Sequence, residues 1–202
     1  MTKIICMNIH QLSVNYIQEQ DRILVRINTS AGEELRLWFT RRLTLNLWPM
    51  LTKIVSDQVV QQEAVKAPEL APVIANDAET RKMVAEFKKE ENLQNADFKT
   101  PYKDQPAALP LGAEPLLVTE VNVSPLPTGQ LQLSFSEKLT GVQNVRGFQM
   151  ALESQMTHGL VHLLEKALNT SLWREVHGIA PAVQAPQLPD EPPAGDKPKY
   201  LN

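Results

Sequence analysis

The chain of 202 residues carries 20 Lys and Arg against 23 Asp and Glu, a formal net charge of −3 with the two signs interspersed, so no segment has the basic excess of a counterion-releasing nucleic-acid binder. A single cysteine, Cys6, excludes an intramolecular disulfide and any multi-cysteine metal site. There is no uninterrupted run of about 18 apolar residues to span a bilayer, and the opening MTKIICMNIHQLSV lacks the apolar stretch of a signal peptide, so the expected setting is cytoplasmic, away from membranes.

In chain order, Leu12, Val14 and Tyr16 alternate with Ser13 and Asn15, the period-two pattern of a half-buried strand. Gln18 to Asp21 is a polar turn, and Ile23, Val25 and Ile27 then alternate back. Gly32 lies where a longer hairpin loop needs a residue at positive φ, and a third strand is expected over 34–40. Whether residues 3–9 add a strand or only lead in stays open. A helix should follow from about Arg41 or Leu43 to about Gln62, with Leu43, Leu47, Leu51, Ile54 and Val55 as its apolar stripe. Pro49 is tolerated in a helix starting near Asn46, which could cap it; a continuous helix bent near its first turns is the favoured reading.

Residues 66–115 change character. Prolines at 68, 72, 101, 106, 110 and 115, many charges and few aromatics describe a disordered linker. One island interrupts it: a marginal helix over 78–93, capped by Asp77, either solvated or docked through Met83 and Phe87. Residues 116–176 then repeat the first pattern. Leu117, Thr119, Val121 and Val123 alternate, a Pro-rich turn ends at Gly129, and Leu131, Leu133 and Phe135 alternate back. Phe148, Met150 and Leu152 form a third strand leading into a helix over about 154–173, with Met156, Leu160, Leu163, Leu164, Ala167 and Leu168 toward the core. The tail, 177–202, is Pro-rich and expected to be disordered.

Residues 35–51 and 148–164 can be laid over each other. Leu35, Leu37 and Phe39 fall on Phe148, Met150 and Leu152, and Leu43, Leu47 and Leu51 fall on Met156, Leu160 and Leu164. The expected fold is therefore α+β: two tandem β-β-β-α units, 1–65 and 116–176, forming an antiparallel sheet of about six strands with two helices packed on one face. Two separate small domains, or exchange of halves between two chains, are the alternatives.

The candidate sites are few. Arg26, Arg36 and Trp38 leave the core-facing side of their strands and gather on the other face, as an aromatic and cations do when they hold single-stranded nucleic acid. The plainer reading pairs the arginines with Glu19, Glu33 or Glu34. The second unit has Gln132, Ser134, Gln149 and Ala151 at equivalent places, where a symmetric binding surface would have kept its charges. Arg41 and Arg42 open the first helix, against its dipole, and suit either an anionic partner or pairing with Glu33 or Glu34.

His158 and His162, four apart with Glu165 three further on, are sterically able to ligate zinc, but the HExxH pattern is absent and only an accident of folding would bring His177 or His10 to complete the set, so a polar helix face is the better reading. Cys6 reads as a buried hydrophobe, and no phosphate loop or nucleophile elbow appears among eight glycines. The tail spacings Pro186-x-x-Pro189 and Pro189-x-x-Pro192 suit a polyproline ligand but arise freely in such tails.

The expected function is non-enzymatic: binding, as an interaction or assembly module without cofactor, with a protein partner or a second copy of the chain. Single-stranded nucleic-acid binding through the open sheet face is the alternative.

Overall fold

The structure is a computed structural model describing residues 3–4, 9–69, 72, 76–103, 108–142 and 145–175. Cys6, His177 and the tail from 177 onward lie outside the described residues. The fold is α+β. The strands are β1 (Lys3–Ile4), β2 (Ile9–Ile17), β3 (Arg22–Thr29), β4 (Glu34–Thr40), β5 (Leu116–Leu117), β6 (Glu120–Pro125), β7 (Leu131–Glu137) and β8 (Arg146–Leu152). The helices are α1 (Arg41–Lys66), α2 (Ala78–Gln94) and α3 (Ser154–Ser171), with a short 3-10 turn at Gln18–Gln20.

The strands form two four-stranded sheets, not a single one of six. The first has the order β2-β3-β4-β5 and the second β1-β8-β7-β6. In each, three consecutive strands pair antiparallel and a two-residue strand from elsewhere adds in parallel at one edge. Both additions are reciprocal. Leu116 and Leu117, which lead into the second sheet, pair with Leu37 and Trp38 of the first. Lys3 and Ile4, which lead into the first sheet, pair with Phe148 and Gln149 of the second.

The alternating run Leu117, Thr119, Val121, Val123 therefore serves two sheets. The Val118 amide donates to the Trp38 carbonyl at 3.0 Å, and the Thr119 amide donates to the Ser136 carbonyl at 3.0 Å. The chain changes sheets between these two residues. With β5 on the β4 edge and β1 on the β8 edge, the two antiparallel sets do not join through those edges, and their apolar faces share one interior instead. Phe39 of the first sheet lies 5.8 Å from Phe135 of the second, which stacks at 5.3 Å on Phe148.

The helices also exchange partners rather than lining one face of a common sheet. α1 leaves β4 yet lies against β6 as well, and α3 leaves β8 yet lies against β2. Leu47, Leu51 and Val55 from α1 and Leu160, Leu164 and Leu168 from α3 join the residues of both sheets in one hydrophobic cluster. Burying side chains of this size contributes about 1.5–3 kcal/mol each, so the shared interior dominates stability.

Local rules explain the ends. Thr40, in extended conformation, accepts from the Leu43 amide at 3.3 Å and caps α1; Asn46 is not the cap, and the helix continues through Pro49 to Lys66. Pro49 has no amide hydrogen, so the Leu45 carbonyl is without its helical donor. Gly32 has φ 78° in the β3–β4 hairpin, as its loop requires.

Glu34 and Glu137, both buried, are anchors rather than accidents. Glu34 pairs with Arg36 and accepts from the Tyr102 hydroxyl at 3.1 Å. Glu137 pairs with Arg146 at 3.0 Å and accepts from the Leu117 amide at 3.1 Å. Each carboxylate fastens an incoming segment to its sheet, and its paired arginine makes burial of the charge tolerable.

Candidate functional site

Register places Arg26 directly opposite Arg36, and Trp38 opposite Leu24, on the outer face of the first sheet. That face is partly covered. The segment after α2 crosses it: the Tyr102 ring lies under the Arg26 guanidinium at 4.3 Å, the Asn28 side chain donates to the Lys103 carbonyl at 3.0 Å, and the Glu34 amide donates to the Ala108 carbonyl at 2.9 Å. Arg36 pairs with Glu34. Arg26 and Arg36 are thus engaged by the chain itself.

Arg41 does not pair with Glu33 or Glu34. Its Nη2 donates to the Trp173 carbonyl at 3.0 Å, just beyond the C-terminus of α3. A cation unwelcome at the start of its own helix therefore sits at the negative end of another. The Trp173 indole N–H donates to Asp21 at 2.6 Å, and Asp21 also accepts from the Tyr16 hydroxyl at 2.9 Å. That second bond raises the Tyr16 pKa, with smaller contributions from desolvation and the charge of Asp21. Arg42 is exposed.

His158 and His162 lie one turn apart on α3. Among the described residues no group of three or more His, Cys, Asp or Glu side chains could hold an ion. His162 lies 5.3 Å from the Phe98 ring. His158 is not on a polar face: it is only 4% exposed. Its Nδ1 lies 2.8 Å from the Ser154 carbonyl, which can only accept, so Nδ1 carries the hydrogen. Burial holds the imidazole below the ordinary histidine range, partly offset by that bond. The ring is neutral at pH 7, and its Nε2 is an acceptor.

Sequence reasoning placed His158 outside because it took the apolar stripe of α3 as the whole buried surface. In the structure α3 is flanked by α1, α2, β2 and β8, and Thr157, Gly159 and Val161 are buried beside it.

His158 lines a cavity of about 430 Å³ between the three helices. α1 supplies Trp48, Thr52, Val55, Ser56, Asp57 and Val60. α2 closes the opposite side with Ala78, Arg81, Ala85 and Lys89 among others, and α3 adds Val161. The Trp48 indole N–H is buried with no hydrogen-bond partner among the described residues, while Arg174 lies 4.0 Å over its ring. The charges at the mouth are paired across helices, Arg81 with Asp57 at 3.2 Å and Lys89 with Glu165 at 3.6 Å.

Of these lining residues the sequence reading singled out His158 and Val55, and placed those of α2 only as part of a marginal helix. The signal for the α1 residues was a second stripe, Trp48, Thr52, Val55, Ser56 and Val60, at helical spacing beside the first. What it faces depends on α2.

α2 was expected either to be solvated or to dock through Met83 and Phe87. It packs against α1 and α3, yet no residue of it is buried, and Met83 and Phe87 are 64% and 68% exposed. Asp77 caps it, accepting from the Glu79 and Thr80 amides. The attachments are polar: Arg81 to Asp57, Lys88 to Glu63 at 3.8 Å and Lys89 to Glu165. No helix among the described residues is long and apolar enough to cross a membrane. Comparison with family models, with curated proteins and with solved structures gives no match.

Proposed function

We propose that the protein is a non-enzymatic assembly module that binds a second copy of itself through α2. The observation that carries this reading is the pair Met83 and Phe87, 64% and 68% exposed on a helix attached to its neighbours through ion pairs. A large apolar pair in the centre of an exposed face costs solubility unless something covers it.

The chain itself offers the complement. Along α2, Glu79, Met83, Glu86, Phe87 and Glu90 share one face, at steps of four, three, one and three. Along α1, Arg42, Asn46, Pro49, Met50 and Lys53 share one exposed face at the same steps. Laid side by side, Glu79 meets Arg42, Phe87 meets Met50 (40% exposed) and Glu90 meets Lys53. Acid faces base at both ends of an apolar centre. Two copies related by a twofold axis would make this contact twice. Apolar burial supplies most of the affinity in such an interface, and the flanking charges set register and partner choice.

The nucleic-acid reading has less support, because Tyr102 and Glu34 already engage Arg26 and Arg36.

Light scattering over a range of protein concentrations tests the proposal. The wild type should show twice the monomer mass, and Met83→Ser with Phe87→Ser should be monomeric. Arg42→Glu with Lys53→Glu should also dissociate the pair, and adding Glu79→Lys with Glu90→Lys should restore it. A wild type that stays monomeric at every concentration ends this reading.

A further inference from the structure

We propose that α1 and α3 form a groove for a basic amphipathic helix of a partner protein, and that α2 is the displaceable occupant of this groove in the free chain. The proposal concerns the side of α2 that rests on its neighbours and does not depend on self-association through Met83 and Phe87.

The floor of the groove is apolar. Val59 and Val60 of α1 and Val161 of α3 are all buried. Val161 belongs to the interior common to both sheets, but Val59 and Val60 do not. Each of these two lines a hollow that α2 helps to enclose, Val60 with Arg81 and Ala85, and Val59 with Lys88 and Asn92. α2 therefore covers apolar surface that the core does not use.

The cover fits loosely. No residue of α2 is buried, and the hollow beside Val60 measures about 430 Å³. The only apolar side chains that α2 contributes to its lining are Ala78 and Ala85. Well-packed contacts leave few voids larger than a water molecule. A helix with leucine-sized residues at those two places would occupy space that α2 leaves open.

The rims select charge. α2 makes three ion pairs to its neighbours among the described residues, and in each the acid belongs to the groove and the base to α2. Asp57 and Glu63 stand on α1 and Glu165 on α3, so both rims are acidic. Arg81 lies 3.2 Å from Asp57, but Lys88 and Lys89 lie 3.8 Å and 3.6 Å from Glu63 and Glu165, beyond hydrogen-bond length. Glu63 is shared with Lys66 of its own helix, whereas Asp57 and Glu165 have no second ion-pair partner among the described residues. An apolar floor between acidic rims complements a helix whose apolar stripe is flanked by Lys or Arg. α2 has the bases but not the stripe, so it competes chiefly by being tethered.

The test uses a fluorescein-labelled peptide of residues 77–95 carrying Ala78→Leu and Ala85→Leu, with Met83→Ser and Phe87→Ser to remove the outer pair. Fluorescence anisotropy against the full chain should show saturable, one-to-one binding that salt weakens. A second peptide, with Arg81→Glu, Lys88→Glu and Lys89→Glu added, should bind more than tenfold more weakly. The chain with Asp57→Lys, Glu63→Lys and Glu165→Lys should reverse that preference; if it fails to fold, the comparison of the two peptides on the wild type decides. Asp77→Ala uncaps α2 and should tighten binding of the first peptide by about fivefold, because the groove is then more often vacant. At saturation, residues 78–94 of the chain should lose amide protection while residues 154–171 keep theirs. The Met83→Ser/Phe87→Ser chain should bind the first peptide as the wild type does, which separates this groove from self-association. No saturable binding to either the wild type or Asp77→Ala, equal affinity for the two peptides, or unchanged protection of residues 78–94 at saturation would overturn the proposal.

Discussion

Two helices of nearly equal length, α2 and α3, lie against each other, and they are held by opposite means. α3 (18 residues) buries eight residues, and Leu160, Leu164 and Leu168 among them join the interior common to both sheets. α2 (17 residues) buries none and is attached by an N-cap and cross-helix ion pairs. Apolar burial ties a helix to the global stability of the fold, whereas exposed ion pairs contribute only about 0–1 kcal/mol each. α3 should therefore unfold only with the whole molecule, and α2 should open on its own.

The contrast can be broken most forcefully from the side of α3. Leu164, with 0% exposure, sits in the middle of its stripe, and Leu164→Ala should cost about 2–5 kcal/mol of global stability. Urea unfolding followed by far-ultraviolet circular dichroism will measure it. A loss within error of zero would mean the interior is not shared as described.

Acid gives an effect of middle size, on α2 and on the last turn of α1 beside it. Hydrogen bonds from Thr80, first from its side chain and then its amide, hold Asp77 below the usual carboxylate range, and Lys66 followed by Lys88 does the same for Glu63. For both groups the folded form binds protons less readily than the unfolded one. Their contribution is thus present above the ordinary carboxylate pKa of about 4 and is lost as pH falls below it. Amide exchange, corrected for intrinsic rates, should show residues 78–94 losing protection between pH 5 and pH 3 while residues 154–171 keep theirs. Asp77→Ala should mimic that loss at neutral pH. Equal loss in both helices would erase the distinction between them.

The smallest effect is expected from Arg81→Ala. Arg81 and Asp57 are both well exposed, and removing the pair should change global stability by less than about 1 kcal/mol. The change should be screened further by salt. A larger loss would show that α2 is coupled to the core after all.

The same contrast explains what could be read from the residues alone. Strands with strict alternation, such as Ile23-Val25-Ile27 and Leu131-Leu133-Phe135, were legible because each has one buried face. The helices after β4 and β8 followed from the switch of period at Phe39 and Leu152. The split at Val118 and Thr119 was not legible. Alternation records that a residue faces an interior, and it is silent on which sheet supplies the neighbour.

The candidate site was harder still. Arg26, Arg36 and Trp38 did fall on one face, but Tyr102, which lies against Arg26, belongs to a Pro-rich stretch whose composition suggested disorder. The cavity depends on α2 resting on α1 and α3 through pairs such as Lys89 and Glu165, far apart in the chain. No local pattern encodes such a meeting.

The reciprocal edge strands carry a consequence for synthesis and for engineering. Each half of the polypeptide lends two residues to the other, so neither half alone holds a full complement of ladder hydrogen bonds. On the ribosome, Lys3 and Ile4 must wait for residues 148–149 to emerge before they can dock. A chain cut in the stretch between α2 and β5 yields two fragments that each present a vacant slot matched only by the other, a ready-made basis for a split reporter.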